Sequence, residues 1–188
     1  MSPRRRPPQY DLPHAAPGSL RLVQLLLNSR DAEHGREWIG TPKELSAWFD
    51  EHGLRFARVT GADVRRVQAV REALRELVIV NNEGGTIPAG AWALLEAEAA
   101  RAPLRVDFGG GLEPAAGGVD GALAAIFASV HEAMRAGTWG RLKACRNCHW
   151  AFWDESKNRS ATWCSMELCG NRLKTKRYRS KRTAARRA

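Results

Sequence analysis

The chain has 188 residues, enough for one mid-sized domain or for one domain with a small appendage. Its composition, 44% hydrophobic and 27% charged, is that of a globular protein, and no run approaches the roughly 18 apolar residues of a membrane span. The net charge of +10 is unevenly placed: residues 1–140 carry 16 Lys/Arg against 17 Asp/Glu, and residues 141–188 carry 14 against 3. An excess of +11 confined to the last quarter of the chain favours a polyanion footprint over general solubilisation.

Residues 1–18 hold five of the nine prolines and no hydrophobic pattern, so a flexible arm is expected there. Its start, Met1-Ser-Pro-Arg-Arg-Arg-Pro-Pro, is charged and unlike a signal peptide, which points to a cytoplasmic protein with reduced thiols. Leu20–Asn28 reads as a short buried helix. Thr41-Pro42-Lys43-Glu44 opens a second, with Thr41 as cap, Pro42 at the first position, and Leu45, Trp48 and Phe49 on the apolar face up to Gly53. Thr60-Gly61-Ala62-Asp63 opens a third. There Val64, Val67, Val70, Leu74, Leu77 and Val78 recur at helical spacing, and Asn81-Asn82-Glu83-Gly84-Gly85 reads as its end.

Pro88–Ala102 reads as an alanine-rich helix carrying Trp92. Leu104–Phe108 alternates as a strand, and Gly109–Gly111 then leads into Leu112–Ala116, which implies a small hairpin. Gly118–Gly137 completes about five helices, with Leu123, Ile126, Phe127, Val130 and Met134 on one face. None of the glycine runs has phosphate-loop spacing.

All four cysteines lie late: Cys145 and Cys148 as C-x2-C, then Cys164 and Cys169 as C-x4-C. Two close pairs can complete a tetrahedron of thiolates around a soft divalent metal, here one zinc ion. Two disulfides are the alternative, disfavoured by the compartment. Four protein ligands leave no open position, so the zinc is structural. His149 could replace a cysteine only if two adjacent residues both reached one ion. Trp150, Phe152 and Trp163 are expected around the metal, Asp154–Ser160 as a polar hairpin turn, and Ser165 as cap of a helix bearing Cys169. A helix start and the cations Arg146, Arg172 and Lys174 would offset a site of net charge about −2. Together these features describe a treble-clef-like finger.

From Asn171 to Ala188 there are nine Lys/Arg and no acid. As a helix this segment would be basic nearly all round, with Arg172, Lys174, Lys176, Arg177, Arg179, Lys181 and Arg182 as candidate nucleic-acid contacts. The competing reading is a solvated, frayed end. Phosphate contacts release counterions, so binding there should weaken with salt; nothing identifies a base-reading residue.

Cys164-Ser-Met-Glu-Leu-Cys169-Gly170-Asn171-Arg172, with Lys174, Lys176, Tyr178 and Arg179 after it, resembles the CGNR zinc-finger family. Cys145-Arg-Asn-Cys148-His-Trp-Ala-Phe-Trp-Asp154 and Ser156-Lys-Asn-Arg159 are similar to the same family. In that family the finger follows a helical domain called ABATE, a stress-induced transcription regulator. The first helix, Leu45–Trp48 and Arg71-Glu72-Ala73-Leu74-Arg75 resemble it, although the first helix is more apolar than that family would lead one to expect.

The expected architecture is mainly α: an arm over 1–18, a helical domain with a small hairpin over 19–140, and a zinc finger ending in a basic helix over 141–188. Three functions compete. One is a DNA-binding transcription regulator whose helical domain senses a signal or forms a homodimer. The second is RNA or ribosome association. The third is a small-molecule receptor or enzyme in the helical domain, suggested by Trp38, Trp48 and Trp92 and by Glu72, Glu76, Asp107, His131 and Glu132. Those acid–base candidates show no nucleophile–base spacing, which argues against an enzyme; His131 reads as a partly buried, satisfied residue. Loss of zinc is expected to unfold residues 141–188 and to leave the helical domain folded.

Overall fold

A computed structural model describes residues 14–54, 58–171 and 175. Among the described residues the architecture is mainly α, with three two-stranded antiparallel hairpins. Helix α1 (Leu20–Leu27) buries Val23, Leu26 and Leu27 completely, and Gln24 and Asn28 are buried beside them. The arm expected over 1–18 is described only from His14 onward, and there it is fixed. Ala16 is buried, its N–H donates to Gln24 Oε1 at 2.8 Å, and the His14 carbonyl accepts from Trp153 N–H at 3.0 Å.

Strands β1 (Arg30–Asp31) and β2 (Arg36–Glu37) form a hairpin too short to leave a period in the sequence. Arg71, 1% exposed, holds it from below: its guanidinium donates to both Glu37 oxygens at 2.8 and 2.7 Å and to Ser29 Oγ at 3.0 Å. Helix α2 (Pro42–Glu51) starts as expected, with Glu44 N–H donating to Thr41 Oγ1, and Gly53 follows it at φ +75°, in the left-handed region glycine tolerates.

Helix α3 (Gly61–Glu83) is the spine, about 35 Å long at 1.5 Å per residue. Thr60 and Asp63 form a complete capping box at its start, and Val67, Val70, Leu74 and Val78 lie in the core. The helix ends within the expected stretch: Asn81 and Asn82 lie in its last turn, and it closes at Gly84. Helix α4 (Ala89–Arg101) has no fully buried residue and packs through the half-buried Leu94 and Leu95. Arg66 of α3 ties the helices together, pairing with Glu98 on α4 and with Asp120 at the start of helix α5 (Gly118–Arg135).

Strands β3 (Leu104–Asp107) and β4 (Gly111–Pro114) pair in the register Leu104↔Pro114, Asp107↔Gly111. The loop after them crosses α5 at Gly121, where any Cβ would lie 2.3 Å from the Ala116 carbonyl oxygen. Leu123, Ile126, Val130 and Ala133 of α5 are buried, but His131 and Met134, on either side of Ala133, are exposed on the face of α5 turned away from the core.

A 3-10 turn (Trp139–Arg141) leads to strands β5 (Leu142–Ala144) and β6 (Ala151–Trp153), paired as Leu142↔Trp153 and Ala144↔Ala151. Leu142, Ala144 and Ala151 are buried in the same apolar cluster as α1, α3 and α5. The hairpin that begins the finger is thus part of the helical core, and the boundary expected at 140 runs through shared packing.

Candidate metal centre

The turn joining β5 to β6 is the first cysteine pair itself. Cys145 N–H donates to the Trp150 carbonyl and His149 N–H to the Cys145 carbonyl, each at 2.9 Å, and His149 closes the knuckle at φ +60°. The expected hairpin turn at Asp154–Ser160 is therefore a separate loop after β6. On the other side, Ser165 Oγ accepts from Glu167 and Leu168 N–H at 3.2 Å. It caps a single π-helical turn, Met166–Gly170, that carries Cys169. Ser165 caps as expected; the turn is wide because the Ser165 carbonyl accepts from Gly170 N–H at 3.1 Å as well as from Cys169 N–H at 3.0 Å.

The four Sγ atoms lie within 4.8 Å of one another, and all four side chains are buried. Cys148–Cys164 is 3.7 Å, and Cys164–Cys169 and Cys148–Cys169 are 3.6 Å. Tetrahedral Zn–S bonds of about 2.3 Å place sulfurs about 3.8 Å apart, so the cage fits one zinc ion. His149 is exposed and outside the cluster.

Hydrogen bonds from the Cys148 and Cys164 thiols lower the pKa of Cys145, and those same bonds raise Cys148 and Cys164. Burial and the Cys145 charge raise Cys169. Without a cation the cage therefore resists holding four thiolates, and zinc must displace protons to bind. Asn147 Nδ2 donates to Cys169 Sγ at 3.5 Å, a second-layer bond that spacing alone does not announce. Trp150 and Phe152 are buried against the cysteines with Trp163 partly so, as expected of a miniature core.

The helical body also grips the finger by its backbone. Asn28 pairs with Ala151 in both directions, at 2.8 and 2.9 Å, and Gln24 Nε2 adds a bond to the Ala151 carbonyl at 3.1 Å. Arg75 donates to the carbonyls of His149, at 2.9 Å, and Leu27. Asn81 bridges the Trp139 and Leu142 carbonyls. Sequence reasoning missed these residues, although a signal exists: Arg71, Arg75, Asn81 and Asn82 follow buried positions of α3 at intervals of four. Arg146, expected to offset the thiolates, donates instead to the Asn82 carbonyl.

Arg172, Lys174, Lys176, Arg177, Arg179, Lys181 and Arg182 lie outside the described residues; Asn171 and Thr175 beside them are helical. Among the acid–base candidates, Glu72 is held by Arg71 and Arg75 at 2.7 and 2.9 Å; burial opposes its charge, but these guanidiniums keep its carboxyl below the usual range. Asp107, His131 and Glu132 line a groove of about 950 Å³ between α1, the β3–β4 hairpin and α5. None of the three tryptophans noted above lines it: Trp48 is buried, and Trp92 is exposed with its Nε1 donating to Glu96 at 2.8 Å. Among the described residues no helix is long and apolar enough to cross a membrane.

Two family models match the chain. One, described as "CGNR zinc finger", covers residues 141–182; the other, "ABATE: Putative stress-induced transcription regulator", covers residues 20–137. No curated protein matches the sequence.

Proposed function

Because the chain belongs to the ABATE family and carries a CGNR zinc finger, we propose that it is a zinc-dependent, DNA-binding transcription regulator acting in the cytoplasm. The observation that carries this reading is the +11 charge of residues 141–188 beside a four-cysteine cage sized for zinc. The zinc is structural, and the protein acts by binding rather than by catalysis. The cage has no open position for substrate, and Glu72 is committed to two arginines.

In this reading the finger sets the basic segment after Cys169 against phosphates, and the helical body is the sensor. The groove beside α1 supports the sensor role. Ser19 and Leu22 line it, and Gln24 and Asn28 of the same helix hold Ala151 of the finger. A ligand that displaced α1 would therefore act on the finger directly.

The test is selection of zinc-loaded full-length protein against a random duplex library near physiological salt, with Cys169→Ala in parallel. The reading expects an enriched motif, affinity that falls steeply with added salt, and loss of binding in the cysteine variant. Failure to bind any duplex at low salt rejects it, and a preference for structured RNA that persists as salt rises replaces DNA with RNA.

A further inference from the structure

Asn82 is buried on the last turn of α3, outside the segment that carries the cysteines. Its Nδ2 donates to two carbonyls that are far apart in sequence: Ala144, at 2.6 Å, and Thr162, at 3.0 Å. Ala144 immediately precedes Cys145, and Thr162 stands two residues before Cys164. One amide group thus joins the strand that delivers the first cysteine pair to the segment that delivers the second. Arg146, between Cys145 and Cys148, closes the arrangement by donating to the Asn82 backbone carbonyl, and Arg146 N–H donates to the Thr162 carbonyl at 3.3 Å.

The amide orientation is fixed by its partners. Both neighbours are acceptors, so only the NH2 end can face them; a flipped amide would set an oxygen against two oxygens. Asn82 Oδ1 is left buried and without a partner among the described residues. An unpaired buried acceptor costs free energy, so the pair of donor bonds has to offset it. A purely apolar residue could fill this space without that cost but could not join the two carbonyls.

We propose that Asn82 is a positioning residue of the zinc site. It holds the two cysteine-bearing segments at the separation a tetrahedral zinc requires before the metal arrives. The consequence is a coupling between the helical body and the metal. Whatever moves Asn82 relative to the Ala144 and Thr162 carbonyls changes zinc affinity, and zinc binding in turn fixes those two contacts. The inference rests on the zinc cage alone and not on the DNA-binding role.

The test measures zinc affinity of the full chain by competition with a chromophoric chelator, and follows thiolate coordination by the absorption of the cobalt-substituted protein. Loss of an outer-layer partner costs a metal site about 10–100-fold in affinity, and Asn82→Ala is expected to fall in that range. Asn81→Ala is the matched control. It also removes an amide that bridges two carbonyls, those of Trp139 and Leu142, neither of which adjoins a cysteine. It is expected to lower thermal stability with zinc affinity within about threefold of the parent, a bound set well below that same outer-layer loss. Asn82→Ser, which keeps a single donor, is measured as well in case the alanine variant does not fold. Unchanged affinity in a folded Asn82 variant, or equal losses in the Asn81 and Asn82 variants, overturns the proposal.

Discussion

Asp154 has no exposed surface, yet every bond it needs is present. It accepts from Lys143 Nζ at 2.7 Å, from Ser156 N–H and Oγ at 2.9 and 2.6 Å, and from Ala161 N–H at 3.1 Å. Lys143 is equally committed, donating also to the Arg159 and Ala161 carbonyls. The pair therefore shapes the loop between β6 and Cys164. Burial alone would push the Asp154 carboxyl up, but the bonds from Lys143 and Ser156 outweigh it and hold the group below the usual carboxylate range. Asp154→Ala strands a buried ammonium and is expected to cost about 3–5 kcal/mol, read as a lower urea midpoint of the zinc-loaded chain. A depressed pKa means that this stabilisation is complete above the unfolded value of about 3.9 and is lost as pH falls through the folded one. The gap between parent and variant should therefore be constant from about pH 5 to 8 and shrink only below about pH 4; a gap that closes near neutrality would contradict the pairing. Sequence reading assigned Asp154 to a hairpin turn, because a bond between residues eleven apart leaves no local period.

At the scale of elements, α3 shows what a sequence discloses and what it hides. Its start was legible because capping is local: Thr60 and Asp63 are three residues apart and bond reciprocally, with Thr60 N–H to Asp63 Oδ2 at 2.8 Å. Thr60→Ala should cost about 1 kcal/mol, measured by urea unfolding, with little change in zinc affinity. A cost near zero would mean that the first turn frays in the parent. The end of α3 was legible too, since the helix closes at Gly84 within the stretch 81–85, yet Asn81 and Asn82 stay helical although they are turn-forming residues. Their amides find carbonyls in the finger, Leu142 for Asn81 and Ala144 for Asn82, a tertiary reason that outweighs local preference. The metal site divides in the same way. The four ligands were legible from spacing, since thiolates at C-x2-C and C-x4-C converge by short-range geometry. Asn82, Arg75 and Asn28 were not, since their partners lie 48–123 residues away. The hairpin β1–β2 was missed because two-residue strands carry no alternation to read.

The whole molecule differs from the two separable parts that the charge division suggests. Leu142, Ala144 and Ala151 fill the helical core, and buried Gln24, Asn28, Arg75 and Asn82 donate to backbone carbonyls of the finger. Releasing zinc frees the segments that carry those carbonyls and leaves several buried polar groups in the helices without partners, each a destabilising event. Against the expectation that a metal-free chain keeps its helical domain largely folded, these contacts predict that zinc stabilises the body as well as the finger. Each kcal/mol lost lowers the melting temperature of a chain this size by about 2–4 °C. The most direct measurement is thermal unfolding of the full-length protein, followed by helical circular dichroism, zinc-loaded and after chelation. A single helical transition that moves down by several degrees on chelation is the predicted result. A helical transition that stays in place while cobalt–thiolate absorption is lost would show that body and finger are independent, and would contradict the account.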